Sequence, residues 1–100
     1  MRLIGDFSLS SHEWNPDNQY FIEQNGKVVI PPLVKSIATQ GNVIYGYLDW
    51  SGDSAFESMR SGYFLIDTTS NEVRSGLIWS ELLSAIPAAK KFQLKDPTEF

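Results

Sequence analysis

Residues 20–30 read Tyr20-Phe21-Ile22-Glu23-Gln24-Asn25-Gly26-Lys27-Val28-Val29-Ile30, two β-prone runs on either side of an Asn-Gly pair. A two-residue hairpin turn of the type that matches strand twist needs positive φ at both central positions. Asn and Gly tolerate this best. Pro31-Pro32 then removes two successive amide donors, so the second strand must end at or near Ile30. A tight antiparallel hairpin with a fixed end is thus imposed early, and the rest of the fold has to be built around it.

The pattern repeats downstream. Leu33 to Thr39 and Val43 to Trp50 are two further β-prone runs joined by Gln40-Gly41-Asn42, which predicts a second hairpin. In the second run Val43, Tyr45 and Tyr47 point one way, and Ile44, Gly46, Leu48 and Trp50 the other. Both faces are largely apolar, which places this strand centrally in a sheet. Gly46, without a side chain, predicts a bulge, a sharp bend or the close approach of a neighbouring ring. Ser51 to Gly62 reads as a long polar loop, Tyr63 to Asp67 as a strand, Thr68 to Asn71 as a turn, and Val73 as the start of a returning strand. Phe7 and Leu9 alternate with polar residues in a further candidate strand, and Ser11 to Asn18 reads as loop.

The period then changes. Trp79, Leu82, Leu83 and Ile86 fall on one face of an α-helix that Pro87 should end near Ile86. So short a helix is marginal alone in water and must be held by packing on the sheet. Lys91-Phe92-Gln93-Leu94-Lys95 alternates strictly, which predicts a last edge strand with Phe92 and Leu94 inward and lysines discouraging further pairing. The expected fold is α+β: a twisted, mostly antiparallel sheet of about five to seven strands with one short helix in the C-terminal half packed on it. A curled sheet or small barrel plugged by the helix is the second architecture. At 100 residues and 42% hydrophobic, the chain is expected to be a single domain, 1–100, with one core.

Composition narrows the chemistry. The absence of cysteine excludes disulfides, thiolate metal sites and cysteine nucleophiles, and is compatible with a reducing compartment. No secretory leader or membrane-spanning run is visible, so a cytoplasmic protein without membrane association is expected. A net charge of −4 argues against nucleic acid as a direct partner. Lys90, Lys91 and Lys95 form too short a cluster to alter that. No glycine-rich phosphate loop occurs, and no cofactor is expected.

The charge is unevenly placed. From Ser36 to Val73 the acids Asp49, Asp53, Glu57, Asp67 and Glu72 face Arg60 alone, whereas acids and bases balance over the remainder. Within this stretch Asp49-Trp50-Ser51-Gly52-Asp53-Ser54-Ala55-Phe56-Glu57 interleaves three carboxylates with two rings. The spacing does not fit a calcium loop, and no metal site is expected. Paired carboxylates across a sugar cleft would need more chain than this domain supplies. His12, the sole histidine, lies in a polar stretch with no sign of a nucleophile–base–acid arrangement, so no catalytic residue is assigned. Asp49, Trp50, Asp53, Phe56 and Glu57 are therefore candidate partner-binding residues, carboxylates steering a basic partner and rings anchoring it.

The segment Gly62-Tyr63-Phe64-Leu65-Ile66-Asp67-Thr68-Thr69-Ser70-Asn71-Glu72-Val73, followed by Gly76-Leu77 and the helix start from Trp79 to Leu83, resembles a hairpin-plus-helix signature of small bacterial proteins, among them immunity proteins of toxin delivery systems. The resemblance implies a non-catalytic protein that protects a cell by binding a cognate toxin domain, often a basic nuclease. It transfers no functional residues. The alternatives are a structural or regulatory accessory domain that self-associates through a sheet edge, and, third, a small hydrolase.

Overall fold

The computed structural model describes residues 3–11, 20–31, 34–49 and 60–95. Among the described residues seven antiparallel strands form two sheets. The first contains β1 (Phe7–Ser11), β2 (Tyr20–Gln24) and β3 (Lys27–Ile30), in chain order. The second contains β4 (Val34–Gln40), β5 (Val43–Leu48), β6 (Gly62–Asp67) and β7 (Glu72–Leu77), also in chain order. One α-helix among the described residues, α1 (Trp79–Ala85), follows, and neither sheet as described closes on itself. The fold is α+β.

The three expected hairpins are present. At the β2–β3 turn Asn25 and Gly26 have φ of 53° and 82°, the positive values that the Asn-Gly pair was expected to supply. A bulge then leaves Val29 as an extra residue on β3, because Ile22 pairs with Ile30 while Glu23 pairs with Val28. The β6–β7 turn is held by Asp67, whose Oδ1 accepts from the Thr69 amide at 2.9 Å, and Asn71 takes φ 61° at its end.

Two apolar clusters lie on opposite faces of the four-stranded sheet. Phe7, Leu9, Ile22 and Ile30 of the first sheet meet Val34, Ile37, Ile44, Leu48, Phe64 and Ile66 of the second. On the other face Ala38, Tyr45, Leu65 and Leu77 pack with Leu82, Ile86 and Ala89 from α1 and the chain after it. The arrangement is three-layered, with the larger sheet in the middle. This explains why β5 and β6 are apolar on both faces.

Gly46 lies opposite Ile37 on one side and Phe64 on the other. A Cβ there would stand 2.1 Å from the Ser36 carbonyl oxygen and 2.9 Å from the Phe64 ring. Of the three expectations for this glycine, close approach by a ring is the one realised at Gly46 itself. The bulge falls on β4, where Val34 pairs with Leu48 but Ser36 with Tyr47.

One expected element differs. Lys91-Phe92-Gln93 forms a 3-10 turn in place of a strand, closed by the Gln93 and Leu94 amides donating to the carbonyls of Lys90 and Lys91 at 3.1 and 3.0 Å. Only Lys95 pairs, exchanging two 2.9 Å backbone hydrogen bonds with Ile37 at the edge of β4. Tyr45 accounts for this difference. Its buried hydroxyl accepts from the Lys90 amide at 3.2 Å and is 3.1 Å from the Lys90 carbonyl, pinning the chain over the sheet face rather than beside its edge. Alternation of side chains reports which groups face inward but not whether the backbone pairs. Leu94 is half-buried against the second cluster. The side chain of Phe92 lies outside the described residues.

Candidate partner-binding surface

The helix-side face of the larger sheet carries more aromatic surface than α1 covers. Strand alternation puts Tyr45 and Tyr47 of β5 on that face, and antiparallel register sets Tyr47 directly opposite Tyr63 of β6. A helix of seven residues is only about 10 Å long. It packs on β6 and β7. Tyr45 is fully buried, with Trp79 beside its ring and the Lys90 backbone at its hydroxyl, and the next cross-strand row lies at the helix margin.

That row is an aromatic ladder. The rings of Tyr47 and Tyr63 meet edge to face with centroids 5.2 Å apart, and Tyr63 is 5.1 Å from Trp79, the first residue of α1. Trp79 in turn lies 6.4 Å from Tyr45, which joins the ladder to the core. Tyr47 is 39% exposed, Tyr63 and Trp79 are half-buried, and neighbouring Ile78 is 63% exposed. Tyr47 is thus braced edge-on by Tyr63, and Tyr63 by the tilted ring of Trp79.

Trp79 is positioned by the helix start. Ile78 stands where a serine or aspartate would normally cap, and it has no side-chain oxygen to offer. Glu81 compensates from within the first turn, its Oε1 accepting from the Ile78 amide at 3.0 Å. The Ile78 side chain is thereby left at the surface beside the ladder. Lys91, at the start of the 3-10 turn, brings its Nζ to 5.3 Å from the Trp79 ring centroid and 5.8 Å from that of Tyr63. Both distances are within the range in which a cation is drawn to the electron-rich ring face.

Of the sequence-predicted site residues, Asp49 is described. It is exposed and follows β5 directly, two residues beyond Tyr47 in the chain. Trp50, Asp53, Phe56 and Glu57 lie outside the described residues, as does His12. Asp67 and Glu72 sit at the opposite ends of β6 and β7 from Tyr63 and Leu77, and the acids of the central stretch therefore do not all share one location. Tyr47, Tyr63, Trp79 and Lys91 were not singled out by sequence reasoning. The usable signal was an excess: Tyr45, Tyr47 and Tyr63 on one face exceed what a short helix can cover.

Among the described residues no charged side chain is buried, no group of three or more His, Asp or Glu side chains converges, and no helix is long and apolar enough to cross a membrane. No protein-family model, curated protein or solved structure matches the chain.

Proposed function

We propose that the chain is a non-catalytic protein-binding module, an immunity protein that acts in the cytoplasm by binding and occluding a basic toxin domain. The observation that supports this reading is the braced ladder of exposed Tyr47 with half-buried Tyr63 and Trp79, and exposed Asp49 two residues beyond Tyr47 in the chain. Preformed aromatic surface at low entropic cost is the usual source of anchoring energy in an interface, and adjoining carboxylates accelerate encounter with a basic partner. In the sequence Asp53 and Glu57 follow Asp49 within eight residues.

Self-association through the edges of the larger sheet is the less favoured reading. Exposed Glu72 and Arg74 and a bulge blunt the β7 edge, and Lys95 occupies part of the β4 edge. Titration calorimetry with the toxin domain encoded by the adjacent gene tests the proposal. The expected result is binding at micromolar concentration or tighter, weakening as salt rises. Replacing Asp49 and Asp53 together by Asn should slow association and flatten its salt dependence. Tyr47→Ala should weaken binding by about tenfold or more. Absence of binding at micromolar concentration in low salt, or a tight homodimer in sedimentation that buries Tyr47, overturns the reading.

A further inference from the structure

We infer that the Tyr63–Trp79 ring pair is the seat for one basic side chain of the partner, and that Lys91 holds this seat in the unbound protein. The inference rests on the proposed binding function and gives it a contact. Lys91 is exposed and belongs to the 3-10 turn, and its ammonium lies over two rings at once. The rings therefore already present a surface that selects a cation, and the chain itself supplies the one observed there. Tyr47, braced edge-on against Tyr63 and 39% exposed, extends the same surface outward. A planar guanidinium or an alkylammonium arriving from a basic partner offers the rings the same charge as Lys91 and can stack on them at least as well.

The exchange is chemically balanced. One cation leaves the rings as another enters, so the net charge near the site does not become more negative, and the displaced Lys91 regains full hydration. Asp49, exposed just after the end of β5 and two residues beyond Tyr47, adds negative charge that favours an entering cation. Lys91 is thus an internal competitor that lowers affinity for stray cations and is displaced only by a side chain held in place by other contacts. Contacts elsewhere in the interface supply that holding.

The test uses the intact protein and no toxin. Ring resonances of Tyr47, Tyr63 and Trp79 are followed by NMR during titration with acetyl-Gly-Arg-Gly-amide. Acetyl-Gly-citrulline-Gly-amide, at equal ionic strength, is the uncharged control. The arginine peptide should shift the Tyr63 and Trp79 rings saturably and the citrulline peptide should not. Lys91→Gln retains most of the stem and removes the charge, and it should tighten the arginine response by about two- to fivefold, the worth of one exposed cation–ring contact. No ring response in either protein, equal responses to both peptides, or a midpoint unchanged by Lys91→Gln overturns the inference. Toxin binding without a ring response to arginine would remove the seat and leave the function. A ring response without toxin binding would do the reverse.

Discussion

Gly46 shows how one absent atom shapes the central strand. The Ser36 carbonyl on one flank and the Phe64 ring on the other occupy the space a methyl group would need. The ring belongs to a flexible side chain, but the carbonyl belongs to a backbone already shaped by the β4 bulge, so relief requires moving a strand. Overpacking of a close-fitted core costs about 1–3 kcal/mol, and a backbone obstacle puts this site at or above the upper end. Gly46→Ala should therefore lower unfolding free energy by about 3 kcal/mol in urea titration. A loss below about 0.5 kcal/mol would mean that the strands part more easily than their packing implies. The sequence marked this residue as unusual but could not choose among bend, bulge and ring, because the choice depends on Phe64, eighteen positions away in the chain.

Elements are legible to the extent that their determinants are local. The β2–β3 turn depends on two adjacent residues with positive φ, and α1 on a periodic apolar face stopped before Pro87. Both could be read directly. The segment Lys91–Lys95 could not, since its conformation depends on a hydroxyl from β5 that bonds the backbone of Lys90. Tyr45→Phe removes that anchor while keeping the ring. It should cost about 1–2 kcal/mol of stability and speed amide exchange at Ile37 and Lys95, whose mutual bonds lie just beyond the anchor. Unchanged exchange at those two amides would show that the bridge to β4 holds the segment without Tyr45.

At the scale of the molecule, the larger sheet is covered by the smaller sheet on one face and by α1 on the other. The two sheets are also tied at one end, where the Gln24 side-chain amide donates to Asn71 Oδ1 at 3.1 Å and to Asp6 at 3.3 Å. Strands buried on both faces should open last. Amide exchange should be slowest at Ile44, Tyr45, Leu65 and Ile66 and faster at Val28 and Val73, whose strands lie at sheet edges. Equal or greater protection in β2 would indicate that the smaller sheet is the more stable unit.

Hairpin order, helix position and the apolar character of β5 on both faces were determined by the sequence itself, because each follows from residue period, turn chemistry and proline placement over a few neighbouring positions. The division of seven strands into two sheets was decided only in three dimensions: hairpin signals specify sequential pairing, and nothing local states that β3 and β4 do not pair. The aromatic surface has the same origin. Tyr47, Tyr63 and Trp79 are distant in sequence and become one ladder only through antiparallel register and the placement of the short helix that begins with Trp79. Charge along the chain pointed to Asp49 and the residues after it, but exposure of rings is set by what packs over them, and that is a property of the assembled layers.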